Sequence, residues 1–151
     1  MISSISIKTQ FGWISAFEEK GKIVRVDFSK HKNKSVSKNL KKFKTSLNDF
    51  LMGKSKFTKS NFLIRGSLIQ KKVWGELKNI KFGKTKTYGE IAKKYKLSPR
   101  HVGKICGQNK LLLVVPCHRV IRAGGSLGGF SSIGGIKLKK KLLEFEKKLG
   151  N

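Results

Sequence analysis

Val114-Val115-Pro116-Cys117-His118-Arg119-Val120 is the stretch from which the rest of the chain is read. A branched apolar run reaches a proline and then sets a thiol beside an imidazole and a guanidinium, an odd position for a cysteine whose only task is packing. Cysteine acts as a nucleophile in its thiolate form, which nearby cations or a base favour. Arg119 offers a permanent positive field and His118 a base. Adjacent side chains diverge, so a bridging water is expected between thiol and imidazole. Taken alone, the heptapeptide fits an inert buried thiol at least as well, because free cysteine is among the most buried residue types.

Downstream, Gly124-Gly125, Gly128-Gly129 and Gly134-Gly135 surround Phe130-Ser131-Ser132. Such a loop can bring backbone groups close to a planar ligand, or it can be an ordinary flexible connection. It is no phosphate-binding loop, since the glycines are irregular and no Gly-Lys-Ser/Thr terminus follows. The last segment has Leu138, Leu142, Phe145 and Leu149 on one helical stripe and Lys137, Lys141 and Glu144 on another. Glu144 is either half of a surface ion pair or a carboxylate aimed at His118, where it would fix the imidazole tautomer.

Upstream, Gly107-Gln108-Asn109-Lys110 turns into the apolar run, and the Asn109 amide is placed to form a turn or to brace the next segment. Ser98-Pro99 has the cap and first-turn signature of a helix running through Arg100, Val102, Gly103 and Ile105. Gly89 to Tyr95 reads as another short helix. With Lys96-Leu97 between them, the two make a possible helix-turn-helix whose second member can enter a DNA groove. Lys84 to Tyr88 is a basic connector, and Tyr88 is a half-buried packing residue or a proton donor. Ser67 caps a helix carrying Ile69, Val73, Trp74 and Leu77 that ends before Phe82-Gly83.

Before residue 66 the pattern is strand-like. Ile5 and Ile7, then Trp13, Ser15 and Phe17, then Val24, Val26 and Phe28 alternate, with turns at Gly12 and Lys20-Gly21, so an antiparallel meander is expected. Ser29 to Asn39 reads as a basic loop with a solvated His31. Leu40, Phe43, Leu47, Phe50 and Leu51 follow at helical spacing up to Gly53. Phe62-Leu63-Ile64 is a further short strand, and Trp13 and the phenylalanines are assigned to the core.

The 151 residues hold 35 Lys+Arg against 8 Asp+Glu, a net charge of +27. A polyanionic partner is implied, nucleic acid before an anionic membrane. Residues 1 to 66 hold 15 basic and 4 acidic residues and residues 67 to 151 hold 20 and 4, so the second part is the better contact face. Two cysteines, Cys106 and Cys117, do not make a secreted disulfide scaffold, and with three scattered histidines they make no zinc set. The start lacks a signal-like segment and no apolar run is long enough to span a bilayer. A cytoplasmic, intracellular protein is expected.

Together, Thr87-Tyr88-Gly89, Arg100-His101-Val102-Gly103, Asn109, Pro116-Cys117-His118-Arg119-Val120, Gly128-Gly129-Phe130-Ser131, and Lys137 followed by Leu142-Leu143-Glu144 closely resemble the O6-alkylguanine-DNA alkyltransferase family. The resemblance is strong over residues 66 to 151, where it includes Gln70 and Val73-Trp74, and weak before residue 66. It implies an α/β chain: a small ribonuclease-H-like N-terminal domain over residues 1–65, then a mainly helical C-terminal domain over residues 66–151 with a helix-turn-helix. It also implies direct-reversal repair of double-stranded DNA containing O6-alkylguanine by a monomer bound through the minor groove, with no cofactor, no metal and no membrane.

Residue by residue, the resemblance makes Cys117 the alkyl acceptor in a single-turnover transfer, His118 the base acting through water, and Glu144 the group that orients it. Asn109 braces the turn and Lys137 is a supporting active-site lysine. Tyr88 crowds the flipped nucleotide's phosphate and donates a proton to guanine. Arg100 fills the gap that the nucleotide leaves, with further DNA contacts from Thr87, Ser98, His101, Gly103 and Arg119. Val120, Phe130 and Ser131 line the base pocket. Phe130 and His101 depart from the tyrosine and alanine that many members carry, and Ser132 replaces a frequent glycine. A lesion-binding relative without transfer activity is the alternative, although such proteins characteristically lack the acceptor cysteine. An architectural helix-turn-helix protein would leave Cys117 unused.

Overall fold

The computed structural model describes residues 2–54, 57, 59–130 and 134–150. Residue contacts divide the chain into two compact units, Met1–Arg65 with Lys110–Val114, and Gly66–Asn109 with Val115–Asn151.

In the first unit, period-two patterning builds an antiparallel sheet in the order β1 (Ile2–Thr9), β2 (Gly12–Glu19), β3 (Lys22–Asp27). The β2–β3 turn is Lys20-Gly21, both at positive φ, the two-residue hairpin turn whose twist suits the flanking strands. The buried face differs from the one expected. Ile14 and Ala16 of β2 are fully buried, whereas Trp13 and Phe17 are only half-buried. Both faces of β2 carry apolar side chains, so alternation alone does not choose between them. On β3 the pairing jumps from Phe17↔Arg25 to Glu18↔Ile23. The bulge leaves Val24 without a ladder partner, and Ile23 and Val26, three residues apart, are both fully buried.

Helix α1 (Lys38–Leu51) starts at Ser37, whose hydroxyl accepts from Leu40 N, and ends where Gly53 takes φ +88°. Leu40, Phe43, Leu47 and Phe50 form its buried stripe. Phe57 packs on Phe43 and Phe50, with ring centroids 5.8 and 6.0 Å away. Residues 62–64 form no strand of their own, only an isolated parallel bridge from Phe62 to Ile23. Leu111 bridges Val26 in the same way, which ties Lys110–Val114 to this unit.

In the second unit, α2 (Leu68–Lys78) opens with a full capping box: Gln70 N donates to Ser67 Oγ while Ser67 N donates to Gln70 Oε1. Trp74 Nε1 donates to Ile105 O at 3.0 Å, fastening α2 to α4 (Pro99–Gly107). Glu76 is buried and accepts from Lys94 Nζ and Tyr95 Oη, each at 2.9 Å, and from Lys86 Nζ at 3.4 Å. That carboxylate anchors α3 (Tyr88–Tyr95), which joins α4 through three residues with Lys96 in the left-handed conformation. The basic connector contains β4 (Lys86–Thr87), paired parallel with β5 (Val120–Ile121) just after the cysteine. Helix α5 (Gly135–Leu149) closes the unit through Leu138 and Leu142. Among the described residues, no helix is long and apolar enough to cross a membrane.

Candidate active site

Pro116 sets the local geometry. At φ −79° and ψ 64°, with Cys117 N donating to Val115 O at 2.8 Å, it is the centre of an inverse γ-turn. Its ring supplies that φ, and the N–H it lacks is not called upon. The chain passes directly into one 3₁₀ turn, Cys117–Arg119.

Asn109 holds this turn from the C-terminal end of α4. Its Nδ2 donates to Val115 O at 2.8 Å and lies 3.3 Å from Cys117 Sγ. Cys117 is 4% exposed, on the wall of a cavity of about 780 Å³ that Tyr88, Arg100, Gly103, Arg122 and Phe130 also line. Cys106, 6% exposed in the core, also contributes to this wall. Burial pushes the Cys117 thiol up, against the opposing effects of the Asn109 bond and the positive charge of Lys139.

Behind the thiol, His118 is fully buried, with Nε2 hydrogen-bonded to Glu146 Oε2. Arg119 Nε donates to Glu146 Oε1 at 2.7 Å, and its Nη1 donates to Ile80 O at 2.7 Å. Burial lowers the His118 pKa. Burial would raise Glu146, but the hydrogen bonds and charges of His118 and Arg119 hold it below the ordinary carboxylate value. A neutral imidazole donating through Nε2 to an ionised Glu146 satisfies both directions and leaves Nδ1 as an acceptor. Among the described residues, that buried Nδ1 has no hydrogen-bond partner.

The other side of the cavity is organised by Lys139. Its fully buried ammonium donates to Val120 O at 2.6 Å, Gly129 O at 3.1 Å and Tyr88 Oη at 3.2 Å. Burial brings Lys139 down to about 8, against the raising influence of the two cysteines. Burial also pushes Tyr88 up to about 12. Gly128 fits beneath the tyrosine ring: at φ +72°, a Cβ there would lie 2.9 Å from Tyr88 Cε2 and Oη.

Three expectations are corrected. Glu144 does not reach His118; it is exposed and pairs with Lys140 at 4.0 Å, and Glu146 takes the place beside the imidazole. Lys137 is exposed, and the buried lysine is Lys139. Both corrections have one cause. Lys137/Glu144 and Lys139/Glu146 are each seven residues apart, but the two pairs differ by two positions, roughly 200° around the helix. Only the second lies at the inward edge of the Leu138–Leu142 stripe. Arg119 is 4% exposed and spent on Glu146 and Ile80, so it is not a DNA contact.

Of the remaining expected residues, Thr87 and Ser98 accept the N-cap bonds of α3 and α4 through their hydroxyls. Arg100 and His101 are exposed on the first turn of α4. Gly103 packs beside Tyr88, where a Cβ would make ordinary contact with the ring at 3.8 Å. Val120 is fully buried and contributes its carbonyl to Lys139. The Phe130 ring stands edge-on to His118, with centroids 6.4 Å apart. Ser131 and Ser132 lie outside the described residues. Arg122, at the cavity wall, had no signal of its own beyond membership in the glycine-rich segment. Among the described residues, no group of three or more His, Cys, Asp or Glu side chains is arranged to hold a metal ion.

Fold and site define a mixed α/β protein whose second unit carries a buried cysteine at the wall of an open cavity. Residues 68–148 match the model described as 6-O-methylguanine DNA methyltransferase, DNA binding domain. A Metallosphaera sedula methylated-DNA–protein-cysteine methyltransferase is 36% identical over 149 residues, covering 97% of this chain and 94% of that protein. A Sulfolobus acidocaldarius protein of the same name is 53% identical over 77 residues, 51% of this chain and 48% of that protein. Among solved structures, Mycobacterium tuberculosis O6-methylguanine methyltransferase matches with TM-score 0.83 and 29% identity, covering 98% of this chain and 94% of that one. The Mycobacterium tuberculosis OGT in complex with DNA matches with the same score and identity, covering 97% and 93%. The chain belongs to the O6-methylguanine-DNA methyltransferase family.

Proposed function

We propose that this chain repairs DNA by direct reversal, moving the alkyl group of O6-alkylguanine irreversibly onto Cys117. The observation that carries the reading is the Cys117 thiol at the cavity wall, held by Asn109 Nδ2 at 3.3 Å and backed by the buried His118–Glu146 pair. The thiol proton passes through water to His118 Nδ1, and Glu146 stabilises the resulting imidazolium. The thiolate attacks the alkyl carbon; the S–C bond forms as the C–O6 bond breaks, and the electron pair stays on guanine. Tyr88 then protonates the guanine anion. It recovers its proton from Lys139, the stronger acid at about 8 against about 12. Alkylated Cys117 is not regenerated, so each molecule acts once.

The second unit carries the contact with the lesion and the transfer, while the first has a ribonuclease-H-like fold. Helices α3 and α4 act as a helix-turn-helix, with α4 in the minor groove. The target alkyl carbon is hidden in stacked DNA, so the nucleotide leaves the helix for the cavity and Arg100 fills the gap. Exposure of Arg100 on the first turn of α4, together with its position at the cavity rim, supports this role. Duplex DNA is bound by a single copy of the chain.

Intact-protein and peptide mass spectrometry after incubation with duplex DNA containing O6-methylguanine tests the reading. One methyl increment on Cys117 per guanine restored is expected, with none in the Cys117→Ala variant. Lesion binding with no increment on Cys117 overturns it in favour of damage recognition without chemistry.

A further inference from the structure

We propose that the first unit carries its own docking surface for double-stranded DNA, a lysine ridge spanning residues 30–44. Seven lysines and no acidic residue fall in these fifteen positions, and all seven lysines are exposed. Each of the unit's four carboxylates has a partner, and Glu18 and Asp27 reach into the segment itself, Asp27 Oδ1 lying 3.9 Å from His31 Nε2. Glu18 is buried against Ser37 and Asn39, Glu19 meets Arg65 at 3.1 Å, Asp27 meets Arg25 at 3.0 Å, and Asp49 meets Lys59 at 3.6 Å.

The ridge is built rather than loose. Ser4 and Lys34 exchange two backbone bonds of 2.9 Å, Ser4 Oγ donates to Lys32 O, and Ser6 N donates to Asn33 Oδ1, each at 2.8 Å. These bonds lay the segment along the edge of β1. The Glu18 carboxylate then accepts from Ser37 Oγ and Asn39 Nδ2, fixing the point where α1 begins. Lys38, Lys41 and Lys42 continue the ridge on the solvent face of α1 at i, i+3 and i+4 spacing, where like charges repel.

Stability does not account for this arrangement. A helix N-terminus favours acidic side chains, yet the first turn of α1 has none and begins with Lys38. The buried Glu18 carboxylate places one negative charge beside that helix start, but one charge does not balance seven exposed lysines, and such an excess on an ordered surface is the pattern of a binding site. The chemistry selects a phosphodiester backbone. Amino groups at repeated spacing neutralise phosphates without reading bases, with the Trp13 ring, centred 4.9 Å from Lys30 Nζ, at one end of the ridge. Of the exposed large apolar residues, Ile2 stands two positions from Ser4 on the edge strand, and one such side chain is not the broad apolar face of a membrane-surface helix.

The test is the salt dependence of binding to an undamaged duplex by the full chain, which requires no alkyl transfer and so does not depend on the proposed reaction. In Lys38→Gln/Lys41→Gln/Lys42→Gln, the slope of log affinity against log salt should become shallower by about 2–3. Affinity should fall equally for damaged and undamaged duplexes, while alkyl uptake from a free O6-alkylguanine base is unchanged. Lys54→Gln/Lys78→Gln/Lys148→Gln removes the same charge at exposed positions off the ridge and should change the slope by less than about 1. Equal slopes in both triple variants overturn the proposal. So does an unchanged DNA slope with loss of binding only to vesicles containing phosphatidylserine. If the helix variant does not fold, Lys32→Gln/Lys34→Gln makes the same test, with an expected change in slope of about 1–2.

Discussion

Lys139 and Glu146 stand seven residues apart on one edge of α5 and serve opposite ends of the site: the lysine reaches Tyr88 Oη and the glutamate reaches His118 Nε2. One helix therefore fixes both the imidazole behind the Cys117 thiol and the tyrosine hydroxyl across the cavity. A rotation of α5 would disturb the two together.

Glu146→Gln should be far more damaging than Glu144→Gln. Removing the buried charge leaves Arg119 without its counter-ion and costs about 3–5 kcal/mol of stability. It also weakens His118 as a base, and transfer should slow by about 10²-fold or more. Glu144 is exposed and paired only with Lys140 at 4.0 Å, so its replacement should stay within about 0.5 kcal/mol. Urea unfolding and single-turnover transfer on the two variants compare these outcomes; equal losses would contradict the assignment of Glu146.

Lys139 gives a pH signature. Burial lowers its folded pKa to about 8 from an ordinary 10.5, so above pH 8 the unfolded chain binds more protons at this position than the native one. Stability should accordingly rise with pH between about 8 and 10.5 in the wild type relative to Lys139→Met. Transfer should run the other way. Above pH 8, Lys139 loses the charge that favours the Cys117 thiolate and the proton it returns to Tyr88, so the rate should decline. Paired unfolding and rate profiles over this range check both signs.

Gly128→Ala should separate backbone strain from site geometry. A methyl group there meets the Tyr88 ring and hydroxyl at 2.9 Å, so the tyrosine must move, and transfer should fall by about 10²-fold. Gly124 has a similar positive φ, +88°, but nothing within 4 Å of its Cβ position. Gly124→Ala should cost roughly 1–3 kcal/mol of strain and leave the transfer rate near that of the wild type.

What could be read from the sequence was local. The Ser67 and Ser98-Pro99 caps, the Lys20-Gly21 turn and the stripe of α1 each depend on residues within a few positions of one another. Long-range pairing left no such trace. β4 and β5 are two residues each, joined across more than thirty positions, and the basic connector showed no strand period. The inward face of β2 was misread because Trp13 and Phe17 compete with Ile14 and Ala16 in the same pattern. On α5 the difficulty was degeneracy. Two Lys/Glu pairs share one spacing, and only packing against Cys117–Arg119 and Tyr88 selects Lys139 and Glu146. Position relative to the Leu138–Leu142 stripe was the available signal.

Arg100 tests whether the exposed first turn of α4 works on the duplex rather than on the chemistry. The side chain is at the cavity rim, one position after the N1 proline, where the helix start projects it outward. Stabilising an extruded nucleotide means offsetting a few kcal/mol of lost stacking and pairing. A free base demands none of that. Arg100→Ala should therefore slow transfer from O6-methylguanine in a duplex by about 10–100-fold, and transfer from a free O6-alkylguanine base by less than about twofold. Placing the lesion opposite an abasic site weakens the stack in advance and should recover part of the loss. Equal losses on duplex and free base would move Arg100 from gap filling to the reaction itself.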